Sequence, residues 1–224
     1  MSNSLILGDR GRMGRRYSAI FRYLKIPFDR WDISTGDPLP ALSQYEYALI
    51  CTPTDTHIEW IKRLRDSRVE FVLCEKPICM SSTELDGLEL GDTHLCVVNN
   101  WSFAHRDMVL LPGSCVVDYS NWYTGPHGGV WDGIQLHYLD KRGLADISEG
   151  PVFRCRINSL PVTLSDIDES YVRMIHTWRD NPDCWTNTDL WNINDIAAQT
   201  KICERIINER DRDPSSFKLD APSR

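Results

Sequence analysis

Ser4-Leu5-Ile6-Leu7-Gly8-Asp9-Arg10-Gly11-Arg12-Met13-Gly14 is the stretch that decides the fold. A short apolar run ends at a glycine, and two more glycines follow at equal spacing before a helical pattern begins. Glycines at such a turn allow positive φ and let a phosphate approach the backbone closely. The helix that follows presents free N–H groups to anions. The stretch predicts a strand, a tight turn and a helix that bind the pyrophosphate of a dinucleotide.

The spacing of the three glycines leaves an alternative open. The usual dinucleotide pattern is G-x-G-x-x-G, whereas Asp9 occupies the middle glycine position here, so an ordinary tight turn also fits. An acid about 20 residues further on would bind the ribose hydroxyls. Asp32 is the candidate for this role, with Asp29 as its competitor. An acid favours NAD over NADP, but nearby arginines favour a 2′-phosphate and keep NADP open: Arg10, Arg12, Arg15 and Arg16.

Strand and helix patterns alternate along the first hundred residues, which predicts a parallel sheet with right-handed crossovers. The predicted strands cover residues 4–7, 26–32, 47–51, 69–74 and 95–98. A helix is predicted over residues 13–24, and two more begin at the capping-box patterns Thr56-x-x-Glu59 and Ser81-x-x-Glu84. We therefore expect an α/β protein whose N-terminal dinucleotide-binding domain spans residues 1–105.

The pattern changes near residues 100–112, where Pro112-Gly113 interrupts it. The second half predicts strands over residues 114–123 and 152–164, and helices over residues 130–140, 168–178 and 191–210. This mixture indicates a reduced α+β domain over residues 106–224.

Two short motifs follow predicted strands, at the edge where open α/β sheets bind their ligands. Glu75-Lys76-Pro77 follows one apolar strand and places a lysine at the mouth of the crevice. Cys51-Thr52-Pro53, with His57 shortly after it, ends the preceding strand. Together with the glycine turn, these motifs indicate a dinucleotide-binding enzyme.

In this order the motifs resemble those of the Gfo/Idh/MocA family, named for glucose–fructose oxidoreductase and inositol dehydrogenase. Further matching strings are Val97-Val98-Asn99-Asn100, a glycine-pair segment over residues 128–140 that ends in H-x-x-D, and residues 191–209. The resemblance covers the N-terminal half continuously and the second half in patches. It implies a Rossmann domain followed by a domain on an open sheet. It also implies NAD(P)-dependent hydride transfer on sugars, polyols or related compounds.

The resemblance implies roles for individual residues. Lys76 would reach both substrate and nicotinamide, His137 would be the acid–base, and Asp132 is the candidate for the accompanying carboxylate. The predicted cofactor-binding residues are Gly8, Arg10, Gly11, Arg12, Met13, Gly14, Asp32, Cys51, Thr52, Pro53, His57, Glu75, Lys76 and Pro77. The predicted substrate-binding residues are Lys76, Asn99, Tyr123 and His137.

The chain departs from the family pattern in two ways. The family's helix carries an aspartate four residues before its histidine, where this chain has Gly133. Asp132 lies about 140° away from His137 around an ideal helix, so either a bulge realigns it or the aspartate role is lost. Asp140, three residues after His137, is a further candidate to orient the imidazole. The interval between Asp140 and Asp168 is also short for the strands of a full second sheet. A dinucleotide sensor or scaffold without turnover is therefore an alternative.

Two further alternatives keep the nucleotide-binding type of fold. The string Gly11-Arg12-Met13-Gly14 also resembles dihydrodipicolinate reductase-like enzymes, which reduce other unsaturated compounds but lack the E-K-P string. The other alternative is a relative that binds no nucleotide.

Composition narrows the class of protein. The net charge of −7 over 224 residues argues against a nucleic-acid partner. No apolar stretch approaches the roughly 20 residues of a membrane span, and no signal peptide is recognisable, so we expect a cytoplasmic protein with a small-molecule substrate. The cysteines show no C-x-x-C spacing, which predicts reduced thiols and no metal site. Homo-oligomer formation is left open.

Overall fold

The computed structural model describes residues 3–76, 78–79, 81–98 and 168–180 with their side chains. It describes the backbone alone for residues 115–123, 132–140, 143–148, 154–157, 160–161 and 164–167. The first part contains β1 (Ser4–Leu7), α1 (Arg12–Tyr23), β2 (Asp29–Trp31), β3 (Tyr47–Ile50), α2 (His57–Asp66), β4 (Phe71–Cys74) and β5 (His94–Val97). The later part contains β6 (Cys115–Tyr123), β7 (Asp132–Asp140), β8 (Gly143–Ser148), β9 (Arg154–Ile157), β10 (Leu160–Pro161) and α3 (Leu164–Asp180).

The first five strands form a parallel sheet in the order β2-β1-β3-β4-β5. The chain steps outward from β1 to β2 and then crosses back to β3 on the other side of β1. This reversal creates a switch point between β1 and β3, outside whose carboxyl ends ligands of open α/β sheets bind. The arrangement confirms the predicted Rossmann-like α/β class and places the crevice beside the glycine turn.

Both faces of this sheet are covered, because its residues alternate between two apolar clusters. Ile6, Leu49 and Leu73 face the side of α1, whereas Leu5, Ile50 and Val72 face the side of α2. All six are essentially excluded from water. This explains why the strands read as continuous apolar runs in the sequence.

Helix α3 comes from the second half of the chain and packs on the α1 side of the first sheet. Its buried face carries Tyr171, Met174, Ile175 and Trp178 into the same apolar cluster as the helix α1. The indole ring of Trp178 meets the ring of Tyr47 edge-on, with centroids 5.4 Å apart. The core of the first sheet is therefore completed by a helix that lies beyond the predicted domain boundary. The division at residue 105 stays a prediction.

The five later strands form an antiparallel sheet in the order β10-β9-β8-β7-β6. The predicted helix over residues 130–140 is wrong, because residues 132–140 form β7. The apolar residues Ile134, Leu136 and Tyr138 recur at every second position, which is the period of a strand. β7 is paired on both sides, by β6 and β8, and this pairing overrides the helical spacing of the segment.

The two predicted capping boxes differ in outcome. Ser81 and Glu84 form the reciprocal bonds of a capping box, although only a 3₁₀ turn, Ser82–Leu85, follows.

The capping box predicted at Thr56 is wrong. The hydroxyl of Thr56 donates to the carbonyl of Pro53 instead, and Glu59 pairs with Arg63. A 3₁₀ turn, Thr54–Thr56, leads into α2 there. Other 3₁₀ turns are Ile33–Thr35 and Leu42–Gln44.

None of the described helices has the length and apolarity that a membrane crossing needs. Several predictions fall outside the described residues: the roles of Pro77 and Asn99, the break at residues 100–112 and the helix over residues 191–210.

Candidate functional site

The glycine turn after β1 lies against the backbone that follows β3. Gly8 adopts φ +81°, and a Cβ there would lie 2.7 Å from the carbonyl oxygen of Cys51. A Cβ on Gly14 would overlap the carbonyl oxygen of Gly8 and the Cα of Asp9. The two glycines thus let the start of α1 sit directly on the turn, which is the close packing that the motif requires.

The N-terminus of α1 offers N–H groups that no described side chain caps. Gly11 is the N-cap residue in extended backbone geometry, and the first turn contains no acidic residue. The free N–H groups and the helix dipole favour an anion at this end. Arg10 and Arg12 are exposed beside it, while Met13 is half-buried against the core. These residues fit the pyrophosphate of a dinucleotide.

Asp32 ties the end of β2 to the glycine turn. Its Oδ2 accepts the backbone N–H of Arg10 at 3.2 Å, and its Oδ1 accepts the N–H and hydroxyl of Ser34 at 2.9 and 2.6 Å. Partial burial raises the pKa of Asp32, but the bonds from Ser34 and Arg10 outweigh it, so the pKa is lowered overall. Asp32 is therefore an ionised acceptor at the crevice.

Asp29, the competitor for the ribose, lies at the opposite end of β2. It accepts a hydrogen bond from the hydroxyl of Tyr45 at 3.0 Å. Since β2 begins at Asp29 and runs parallel to β1, this carboxylate is at the amino edge of the sheet. The geometry favours Asp32 over Asp29 as the residue next to the glycine turn.

The turn after β3 is held in shape by the start of α2. His57 is buried, and its Nε2 lies 2.8 Å from the carbonyl oxygen of Thr52, to which it donates. The hydroxyl of Thr56 lies 2.8 Å from the hydroxyl of Thr52. His57 therefore orients the Thr52-Pro53 turn from its buried side, and Thr52 and Pro53 form the surface of the turn.

Glu75 and Lys76 follow β4 at the same edge of the sheet. The backbone N–H of Glu75 donates to the carbonyl of Ile50 at 2.9 Å, which extends the pairing with β3 by one residue. Glu75 is buried, with 7% of the residue exposed. Lys76 is half-buried, and its backbone N–H donates to Glu75 Oε2 at 3.1 Å. The lysine thus leaves the sheet beside the turn that follows β3.

Sequence reasoning missed one residue of this site, Tyr17. It lies on the buried face of α1, and its hydroxyl donates to Glu75 Oε1 at 2.5 Å. Burial, then the charge of Glu75, raises the pKa of Tyr17 well above its ordinary value. The helical spacing of Tyr17 with Ile20 and Phe21 is typical of a core residue, and no local pattern in the sequence indicates that its hydroxyl meets a carboxylate.

The structure brings most of the predicted cofactor-binding residues to one edge of the first sheet. These are Gly8, Arg10, Gly11, Arg12, Met13, Gly14, Asp32, Cys51, Thr52, Pro53, Glu75 and Lys76. His57 is buried beneath the Thr52-Pro53 turn and contacts the carbonyl oxygen of Thr52. Tyr123 and Asp132 are paired across β6 and β7, and His137 lies further along β7 opposite Val116 and Asp146. For these three, the structure describes the backbone only. Among the residues described with side chains, no group of acidic, histidine and cysteine residues could hold a metal ion.

Several solved structures have a similar fold. An oxidoreductase from Sinorhizobium meliloti matches with a TM-score of 0.56 at 10% identity, over 93% of this chain and 97% of that one. GenD2 from gentamicin A biosynthesis, solved in complex with NAD, matches with a TM-score of 0.53 at 12% identity, over 90% and 91%. A myo-inositol dehydrogenase from Corynebacterium glutamicum matches with a TM-score of 0.51 at 11% identity, over 93% and 96%.

At these identities the similarity establishes the fold alone. No model of a protein family matches the sequence, and no curated protein does.

Proposed function

We propose that this protein is an NAD(P)-dependent oxidoreductase that transfers hydride between a nicotinamide cofactor and a sugar, polyol or similar small hydroxy or keto compound. The observation that carries the proposal is the convergence of three turns, after β1, β3 and β4, at the switch point of the first sheet. The motif resemblance to the Gfo/Idh/MocA family supports it. So do the similar folds of GenD2, solved with NAD, and of myo-inositol dehydrogenase.

The cofactor would lie across the carboxyl edge of the first sheet. The N–H groups at the start of α1 would hold its pyrophosphate, and the Thr52-Pro53 turn would pack against it. The Oδ2 atom of Asp32 accepts one described hydrogen bond, from the backbone N–H of Arg10. This oxygen therefore retains a lone pair that can accept a ribose hydroxyl. Because an ionised carboxylate repels a 2′-phosphate, we propose NAD as the preferred cofactor, with NADP as the alternative that exposed Arg10 and Arg12 would serve.

The chain's own residues would supply charge and proton transfer. Lys76, as a cation at the mouth of the crevice, would stabilise the alkoxide that develops on the substrate, which is usually the largest catalytic contribution. His137 would take the hydroxyl proton, since histidine has a pKa near working pH. The bound nicotinamide would supply the hydride chemistry.

The Lys76→Ala variant tests this assignment against Lys62→Ala, a control that removes an exposed lysine on α2. NADH and NADPH are first titrated separately while nicotinamide fluorescence is followed, and turnover is then measured over sugars and polyols. We expect Lys76→Ala to lose turnover by about 10²–10³-fold while its dinucleotide Kd changes little. Lys62→Ala should match the wild type in both. Normal turnover in Lys76→Ala would refute the role of this lysine.

A dinucleotide-binding sensor or scaffold is the second candidate, and one observation favours it. Asp132 and His137 belong to a strand, where residues five positions apart fall on opposite faces. This placement on β7 argues against a carboxylate–histidine pair from these two residues. Dinucleotide binding without turnover of any compound in the panel would support the sensor, and absence of binding would exclude both candidates.

A further inference from the structure

Glu75 places a carboxylate where the fold excludes water. Its residue is only 7% exposed, and it follows a strand whose four residues are all buried. Removing a carboxylate from water costs several kcal/mol unless hydrogen bonds replace the lost solvation. An apolar side chain would fill this position at a lower cost. The partners of the carboxylate therefore show what it does there.

The two oxygens of Glu75 connect two different elements. Oε1 accepts the hydroxyl of Tyr17 from α1 at 2.5 Å, and Oε2 accepts the backbone N–H of Lys76 at 3.1 Å. The main chain of Glu75 is fixed separately, by the bond of its N–H to the carbonyl of Ile50. With its backbone held by β3, the side chain of Glu75 bridges α1 and the turn that carries Lys76.

Tyr17 is well placed to fix this bridge. Its side chain is completely buried, and its ring meets Tyr171 of α3 edge-on with centroids 5.8 Å apart. Burial and the Glu75 charge raise the pKa of its hydroxyl, so it stays protonated and donates. A rigid donor on α1 therefore sets the position of the Glu75 carboxylate.

We propose that Tyr17 is a positioning residue for Lys76, acting through the carboxylate of Glu75. The hydroxyl orients the carboxylate, and the carboxylate fixes the backbone N–H of the lysine. Because Tyr17 lies on the helix that begins at the glycine turn, the same contact sets the lysine relative to the dinucleotide. Its effect on turnover rests on the proposed function, since Lys76 acts on the substrate only if that function holds.

The test compares Tyr17→Phe with Tyr45→Phe. Each substitution removes one hydroxyl that donates to a carboxylate and keeps the ring. Tyr45 donates to Asp29 at the amino edge of the sheet, away from Lys76. The full-length proteins are labelled by reductive methylation with ¹³C, and the Lys76 resonance is identified by its loss in Lys76→Arg. Dinucleotide affinity, kcat and KM are measured on the same variants.

We expect the Lys76 resonance to move in Tyr17→Phe and to stay in place in Tyr45→Phe. Where a substrate is turned over, kcat should fall about ten- to a hundredfold in Tyr17→Phe, with the KM for the dinucleotide nearly unchanged. The resonance needs no substrate, so a shift in a protein without turnover would contradict the proposed function and retain the positioning role. An unmoved resonance in a folded Tyr17→Phe variant would overturn the proposal.

A second variant covers the case in which Tyr17→Phe does not fold. Glu75→Gln preserves the size of the side chain, but its amide nitrogen donates and cannot accept. The side chain then cannot receive both Tyr17 and the N–H of Lys76 on separate atoms. The same displacement of the Lys76 resonance is expected, and an unchanged resonance would again overturn the proposal.

Discussion

Gly14 has no space for a side chain, and this makes it the most restrictive residue of the glycine turn. A Cβ there would overlap backbone atoms of Gly8 and Asp9, which cannot move away as a flexible side chain can. We expect Gly14→Ala to lower the free energy of unfolding by about 1–3 kcal/mol or more. It should also weaken dinucleotide binding, because relief of the overlap displaces the start of α1. Urea unfolding and a fluorescence titration measure the two effects.

Gly11→Ala is the matched control for stability. Gly11 has φ −66°, and the atom nearest to a Cβ there is 3.4 Å away. We expect its free energy of unfolding to change by less than about 1 kcal/mol. Equal losses in the two variants would show that the overlap at Gly14 is not what makes it restrictive.

At the residue scale, the sequence predicted the residues that follow the strands of the first sheet better than the contacts between buried side chains. Glycines, Thr52-Pro53 and Lys76 stand next to the ends of apolar runs, so their position at the sheet edge follows from chain order. The bond between Tyr17 and Glu75 joins residues far apart in the chain, and α1 and β4 must both be in place before it exists. Only the folded structure brings such a pair together.

At the element scale, Asp32 holds the 3₁₀ turn Ile33–Thr35 and the glycine turn together. Its pKa is lowered from 3.8, so the stabilisation is fully present above that value. It is lost as pH falls through the lower, folded-state pKa. We expect Asp32→Ala to be less stable than the wild type at pH 7, with the difference shrinking below about pH 4. Urea unfolding midpoints of both proteins across this pH range check the sign.

Asp37→Ala is the control for the loss of an acid from this part of the chain. Asp37 is an exposed acid a few residues further on, and its described bond to the indole of Trp31 uses the backbone carbonyl. We expect the urea unfolding midpoint of Asp37→Ala at pH 7 to lie close to that of the wild type. A stability difference between Asp32→Ala and the wild type that does not shrink at low pH would contradict the assigned role of the Asp32 carboxylate.

Elements with both faces buried were predicted best. The strands β1, β3, β4 and β5 occur at the predicted positions, with ends that differ by at most two residues, because continuous apolar runs bounded by turns are typical of covered parallel strands. β7 was predicted as a helix, since its pattern contains both a helical and an alternating spacing. Pairing with β6 and β8 decides between the two, and a single segment does not reveal its neighbours.

At the scale of the whole molecule, a helix from the second half of the chain packs beside the first helix. The helix α3 follows the second sheet in sequence and covers the α1 side of the first sheet. Arg16 of α1 pairs with Asp168 at 3.3 Å, and its guanidinium lies over the ring of Tyr171 at 4.8 Å. Because this packing links distant parts of the chain, the sequence pattern near residues 100–112 could not indicate it. The change of pattern marks where the first sheet ends in sequence, whereas its core continues to Trp178.

A fragment of residues 1–105 should therefore be much less stable than the full chain. It lacks Tyr171, Met174, Ile175 and Trp178, all buried in the cluster against α1. Burial of each such side chain contributes about 1.5–3 kcal/mol, and a whole domain is stable by only about 5–15 kcal/mol. We expect the fragment to lose its near-ultraviolet circular dichroism and its cooperative unfolding.

A peptide of residues 164–180 added in trans should restore both, whereas the same peptide with Trp178→Ala should not. Cooperative unfolding of the fragment alone, with the stability of the full chain, would show that the first sheet is independent of α3.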